Sequence, residues 1–460
     1  MPRLSTSVSA LTLLASTAAG LAAQAKLPPV RPLGAVENKA TELLGAVSTT
    51  RALPDGRVLV NDIIGRKVVM FNKTLSSFTV VADTTSATGN AYSSRFAGLL
   101  AYKGDSSLFV DPTSLSMLVI DGKGTIGRVM SIPRANDARS LVGGPNGTPG
   151  FDAQGRLVYR ASPQFRFNAG APGAQRGDAP RPAGNAMPMP DFPDTVALVR
   201  VDLATRKVDT LTWLKIPRTR MTVAQDSAGR MMMSSIIHPL PSVDDWAVLT
   251  DGSVAVVRGL DYHIDWIRGD GALAPTGKLP FDWKHLNDSA KVAFMDSTKV
   301  AMEKVRAQAI AQRAVGGPGG PGMGPPPGME GAQVMVFRTE RAAADGPRPR
   351  NEGAAPAMNF TMPPLQFVAP NELPDYAPPF GPGASRADMD GNLWIRTTNV
   401  INGGPVYDVV SAQGELVDRV QLPASRVIAG FGPGGMVYMG VREGAGVRLE
   451  QARRAAMALP

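Results

Sequence analysis

Short runs of apolar, β-branched and aromatic residues recur along the chain, each opened by a polar turn containing Gly and usually Asp. The clearest copies are Pro54-Asp55-Gly56-Arg57-Val58-Leu59-Val60, Asp152-Ala153-Gln154-Gly155-Arg156-Leu157-Val158-Tyr159, Asp226-Ser227-Ala228-Gly229-Arg230-Met231, Asp251-Gly252-Ser253-Val254-Ala255-Val256-Val257 and Asp388-Met389-Asp390-Gly391-Asn392-Leu393-Trp394-Ile395. Degenerate copies begin at Lys103-Gly104 and Gly432-Pro433-Gly434-Gly435. Asp and Gly supply the tight turn, and the run after it suits a strand. After most copies comes a second apolar strand, a polar turn and another strand. Residues 68–81, 117–124, 198–214 and 406–422 read this way. Four short antiparallel strands in every ~40 to 50 residues are the signature of a propeller blade. A β-sandwich of similar hairpins would need far fewer strands.

Two stretches break the rhythm. Residues 162–194 contain seven Pro and read as a disordered insertion inside one blade. Residues 287–314 have helical periodicity: Val292, Met295, Val300, Met302, Val305 and Ile310 fall near one face, with Asp288 or Ser289 as the cap. A Gly-Pro-Met tract at 316–331 follows, and Pro-rich sequence continues to about 383. The helix suggests a lid over a central channel, tethered by that tract. What remains accommodates six blades, with seven as the alternative. Six is preferred because the Asp226 copy lies so close before Asp251 that it reads as an outer strand. The expected organisation is an export signal at 1–25, four blades over 40–284 carrying the insertion, a helical insertion at 285–314, a Gly/Pro-rich linker at 315–384, and two more blades over 385–452. The fold class is all-β, a six-bladed β-propeller with a helical insertion and Pro/Gly-rich disordered loops.

Composition narrows the function. With 460 residues, 43% hydrophobic and 19% charged, the chain can bury a large core. The absence of Cys removes disulfides, thiolate metal sites, iron–sulfur clusters and cysteine nucleophiles. Arg3, a mostly apolar stretch over 8–23 and Ala23-Gln24-Ala25 form a secretory pattern with cleavage expected after Ala25. No later stretch of about 18 apolar residues is present, so no transmembrane segment is expected. The picture is an exported monomer, periplasmic or extracellular. Its formal charge of +9 favours anionic partners, which outside the cytoplasm means envelope polymers or acidic lipids. Nucleic acid is not expected, since neither a dense Lys/Arg run nor an aromatic-basic platform is visible.

The repeats resemble the six-bladed propellers of the NHL type, and the order of elements is similar to an uncharacterised exported bacterial group. The residues carrying the likeness are Asp244-Asp245-Trp246-Ala247-Val248, running into Thr250-Asp251-Gly252-Ser253-Val254-Ala255-Val256-Val257-Arg258 and Tyr262-His263-Ile264-Asp265-Trp266, together with Gly391-Asn392-Leu393-Trp394 and Gly430-Phe431-Gly432. The likeness spans about residues 40–280 and 385–450 and implies a fold, not an activity.

Candidate chemistry is sparse. Tyr262, Ile264 and Trp266 alternate with Asp261, His263 and Asp265, so a strand here sets an Asp-His-Asp face opposite an apolar one. Two carboxylates flanking an imidazole suit a metal or a proton-responsive His, and the same alternation is the ordinary mark of a half-buried strand. His238, His263 and His285 are the only imidazoles, too far apart in sequence for a local zinc motif, though a propeller can bring distant loops to one channel. Acidic residues between Asp244 and Asp296 offer oxygen ligands for calcium or another divalent ion, though no cofactor is identified. Asp388-Met389-Asp390-Gly391-Asn392 starts like a calcium loop but has Asn399 where the twelfth-position Glu belongs. Gly430 to Gly435 matches a dinucleotide fingerprint but precedes a strand where a helix is required. No Gly-x-Ser-x-Gly elbow or His-Glu-x-x-His pair occurs. Two functions fit: a binding or scaffolding module of the cell envelope that contacts a protein or polymer, or a metal-dependent hydrolase resembling gluconolactonase-type propellers. Such enzymes gather Glu, Asn and Asp on calcium, and no such trio can be matched position by position.

Overall fold

The computed structural model describes residues 27–85, 90–94, 96–164, 192–225, 231–314 and 365–455. The expected signal at 1–25, most of the insertion at 162–194, the Gly-Pro-Met tract and the turn of the Asp226 copy lie outside these residues. Two strands, β1 (Val30–Pro32) and β2 (Val36–Lys39), come first. They are followed by β3 (Val47–Ala52), β4 (Val58–Asp62), β5 (Lys67–Phe71) and β6 (Phe78–Asp83), then β7 (Gly98–Ala101), β8 (Ser107–Asp111), β9 (Ser116–Ile120) and β10 (Ile126–Ser131). Next are β11 (Gly150–Phe151), β12 (Leu157–Arg160), β13 (Thr195–Val201) and β14 (Val208–Lys215), the pair β15 (Arg220–Gln225) and β16 (Met231–Ile237), and β17 (Asp245–Val248), β18 (Val254–Arg258), β19 (His263–Ile267) and β20 (Leu273–Pro275). The helix α1 (Asp288–Ala314) and β21 (Gln366–Phe367) precede β22 (Phe380–Ala387), β23 (Leu393–Ile401), β24 (Gly404–Val410), β25 (Leu416–Gln421), β26 (Arg426–Gly432), β27 (Met436–Glu443) and β28 (Gly446–Arg453).

These strands pair into antiparallel meanders: β3–β6, β7–β10, β11–β14, β17–β20 and β22–β25 each form a sheet in chain order. The sixth meander, β26–β28, takes β2 from the N-terminus as its fourth strand, and β1 adds in parallel to β25 at the edge of the fifth. Apolar side chains pack each sheet on the next. Leu59 and Val68 meet Leu99 and Phe109, Val110 and Met117 meet Leu157 and Leu198, and the same cluster runs on to Trp246 and Val256. Ala255 and Ile264 pack with Leu393 and Val410, Val409 packs with Ile428 and Val437, and Tyr438 and Leu449 return to Val58 and Val69. The circle is closed, and the chain is an all-β propeller. Because both faces of a central strand meet neighbouring sheets, strands such as β4 and β24 are buried along their whole length, Asn61, Asp62 and Asp408 included.

The repeated turn does what its composition predicts. Gly56, Gly104, Gly155, Gly252, Gly391 and Gly434 all have φ between +62° and +88°, a region open to Gly at little cost. Asp152 Oδ1 accepts the amides of Gln154 and Arg156, and Asp388 Oδ1 those of Asp390 and Asn392. A second Asp position clamps the chain as it crosses between sheets: Asp62 accepts from Gly45, Ala46 and Gly65, and Asp111 from Ser93.

Several expectations are corrected. The Asp226 copy is not an outer strand of a blade; its flanks, β15 and β16, form a hairpin that joins β21 in a separate three-stranded satellite sheet. The segment at 315–384 is not all linker, since β21 and the start of β22 lie within it. The division at 40–284 and 385–452 omits β1, which adds a fifth strand to the fifth meander, and β2, which completes the sixth. Among the described side chains of α1 the buried ones are Lys291, Met295, Thr298 and Met302, whereas Val292 and Val300 are exposed. The helix packs on the satellite sheet, where Met295 meets Val368 and Leu373, and its residues do not line the central channel. Asn287, one residue before the expected cap, supplies the capping oxygen to the amide of Ala290.

Candidate ligand-binding channel

The first strands of the six meanders converge on one cavity of about 690 Å³. Counting back five residues from each turn Gly gives Arg51, Leu99, Gly150, Ala247, Arg386 and Ala429, and all six line it. Four of these positions are small or apolar and two are arginine. A constant distance to the turn explains the convergence: the turn fixes the register of the first hairpin, and each hairpin sits in its sheet the same way.

Arg51, Arg386 and Asp388 are the charged residues among those that line the cavity. The Asp388 carboxylate is fully engaged, accepting from the amides of Asp390 and Asn392, from Asn392 Nδ2 at 2.9 Å and from Trp394 Nε1 at 2.8 Å. The turn chemistry that competes with a calcium-loop reading therefore accounts for this carboxylate. Arg51 donates to the carbonyls of Ala52 and Gly104, and Arg386 to that of Ile428 at 2.9 Å. Neither forms an ion pair among the described residues. Burial holds both guanidinium groups below their usual pKa, against a partial counter-effect from Asp105 on Arg51 and from Tyr407 and Asp245 on Arg386. Beside them, Thr50 Oγ1 lines the cavity, buried and with no hydrogen-bond partner among the described residues. Behind the wall, Asp245 accepts the amide of Ser385 at 2.6 Å, and burial raises its pKa to about 6.

The five residues singled out from sequence lie elsewhere. Asp261, His263 and Asp265 do meet: His263 Nδ1 is 2.5 Å from Asp261 Oδ1, and His263 Nε2 is 3.3 Å from Asp265 Oδ1. Asp265 then pairs with Arg258 at 2.7 Å, Arg258 pairs with Asp244 at 2.8 Å and donates to the carbonyl of Trp213, and Lys278 stands 3.8 Å from Asp261. This chain of contacts, from Asp261 and His263 through Asp265 and Arg258 to Asp244 and the carbonyl of Trp213, staples the third meander to the fourth. Tyr262, Ile264 and Trp266 are buried on the opposite side. None of the Asp-His-Asp trio lines the channel. His238 sits in a separate crevice beside the satellite sheet, and exposed His285 meets Tyr376 edge-on at 5.2 Å. The fold thus places the three imidazoles in three different surroundings. Among the described residues, no group of three or more His, Asp and Glu side chains is arranged to hold a metal ion.

Arg51 and Arg386 were not among the sequence candidates. The signal was present, since each precedes its turn Gly by five residues, but it becomes visible only when the repeats are aligned on that Gly and the inward position is known.

No protein-family model matches the chain, and no curated protein matches it. Solved structures similar to it include virginiamycin B lyase from Staphylococcus aureus, at 9% identity over 92% of this chain and 88% of that one with a TM-score of 0.32. A gluconolactonase from Xanthomonas campestris matches at 11% identity over 92% and 98% with a TM-score of 0.33. The calcium-binding protein regucalcin from Agrobacterium tumefaciens matches at 10% identity over 93% and 98% with a TM-score of 0.31.

Proposed function

We propose that this chain is an exported, six-bladed propeller of the NHL type that acts as a binding module of the cell envelope, taking the anionic group of its ligand into the central channel. The observation that carries this reading is the pair Arg51 and Arg386, which face a largely small and apolar channel without a carboxylate partner among the described residues. Bringing a guanidinium out of water is costly, and an incoming carboxylate or phosphate offsets that cost through charge-assisted, two-point hydrogen bonds. The buried hydroxyl of Thr50, which lines the channel and has no hydrogen-bond partner among the described residues, adds a further polar contact. The basic charge of the whole chain steers such ligands toward it.

A metal-dependent hydrolase of the gluconolactonase kind would need several carboxylates aimed into the channel. The described wall offers Asp388 alone, and its oxygens are already engaged. Titration of the full chain with galacturonate, a sugar acid of the sort carried by acidic polymers, tests the reading. We expect binding that weakens with salt and falls by roughly tenfold or more in Arg51→Gln and in Arg386→Gln. Affinity unchanged in both variants, or an absence of binding by any of galacturonate, citrate and inorganic phosphate, would overturn it.

A further inference from the structure

A second cavity, of about 920 Å³, opens between the satellite sheet and the connection from β14 to β15. It shares no lining residue with the channel. Its inner wall is apolar, formed in part by Ile216, Ile236, Leu240 and Val368. Two polar atoms interrupt that wall. His238 Nδ1 and Ser242 Oγ are both buried and have no hydrogen-bond partner among the described residues. A buried polar atom without a partner is costly, so a group that hydrogen-bonds there is favoured by the fold itself.

Charge is arranged around the mouth. Lys215 and Arg218 are exposed on the rim, Arg220 pairs with Glu372, and Asp194 also borders the opening. With Glu372 neutralised by Arg220, the two remaining cations outnumber the one remaining carboxylate. Burial also lowers the pKa of His238, against an opposing pull from Glu372, which favours a neutral ring with one nitrogen lone pair.

We propose that this crevice is a second binding site, specific for a small organic acid that has an apolar body and a hydroxyl group. The carboxylate meets Arg218 and Lys215 at the rim, the body lies against Leu240 and Val368, and the hydroxyl gives His238 Nδ1 or Ser242 Oγ its missing partner. The volume is of the size that holds ligands of this kind. The site stands independently of the channel, because none of its residues contributes to both.

Calorimetric titration of the full chain with para-hydroxyphenylacetate is the test, with phenylacetate as the probe lacking the hydroxyl. We expect para-hydroxyphenylacetate to bind several-fold more tightly than phenylacetate. Arg218→Gln, at an exposed rim position that should not disturb folding, should weaken both acids by roughly tenfold. Ser242→Ala should reduce the preference for the hydroxylated acid, and Arg51→Gln and Arg386→Gln should leave the titration as in the unaltered chain. No heat of binding in the millimolar range would overturn the proposal. So would an affinity indifferent to both Arg218→Gln and Ser242→Ala. Binding lost in the channel variants but kept in Arg218→Gln would assign the acid to the channel, refuting the second site while leaving the channel reading intact.

Discussion

Removing one oxygen from Tyr262 should destabilise the propeller more at neutral than at acid pH. Tyr262 is completely buried between the fourth and fifth meanders, and its hydroxyl donates to Asp408 Oδ2 at 2.7 Å. Asp408, also buried, has one further side-chain partner, Arg419 Nε at 3.3 Å. Burial dominates and raises the Asp408 pKa from 3.8 to about 6, with the bonds from Tyr262 and Arg419 opposing it. A pKa raised by folding means that the folded chain binds the proton more tightly than the unfolded one. Asp408 is therefore least costly below its unfolded pKa. Stability falls as pH rises through the interval from 3.8 to about 6, and above it the deficit is constant at ~3 kcal/mol. Asp245, raised to about 6 by burial, adds a deficit of the same sign over the same interval.

In Tyr262→Phe the ring contacts with Phe281 and Phe380 are retained, and the charged carboxylate loses a donor. A hydrogen bond to a charged group is worth about 1.5–3 kcal/mol, and one to a neutral carboxyl about 1 kcal/mol. At ~2 °C per kcal/mol for a domain of this size, Tm should drop by about 3–6 °C at neutral pH but only ~2 °C near pH 5. Thermal unfolding followed by circular dichroism at the two pH values measures both. An equal drop at both, or no drop at neutral pH, would show that the hydroxyl does not support a buried carboxylate.

Two shorter predictions follow from the same geometry. Deleting residues 27–39 removes β1 and β2, strips the sixth meander of its fourth strand and removes the Arg31–Asp418 pair from the fifth. Tm should fall by more than ~10 °C, and a change within a few degrees would mean that the N-terminal strands do not close the ring. Elemental analysis of the purified full chain, with thermal unfolding before and after treatment with a chelator, addresses the hydrolase alternative. We expect less than one equivalent of divalent metal and an unchanged Tm; a tightly held stoichiometric ion would favour the metal-dependent reading over the anion-binding one.

The alternation and turn chemistry of the sequence determined the architecture, because each blade is a local meander. Asp-Gly turns, strand length and the left-handed Gly conformation act over a few residues, so their pattern survives in one dimension. Membership of the Asp226 copy could not be read the same way. Its turn-and-strand pattern is that of the true blades, and only its pairing with β21, more than a hundred residues later in the chain, assigns it to the satellite sheet. The helix shows the same limit: the 3.6-residue period was legible, but which stripe faces inward depended on where Val368 and Leu373 lie, so Lys291 and Thr298 are buried while Val300 is not.

The candidate sites divide along that line. Asp261, His263 and Asp265 are neighbours in sequence and remain neighbours in space, but whether they face a channel or another blade is a property of the ring. Arg51 and Arg386 are separated by most of the chain and share one cavity because the circle closes. Local physics can specify a strand and its turn from the residues within it; convergence of side chains from six strands is decided by how the sheets pack around their common axis, which no single stretch of sequence encodes.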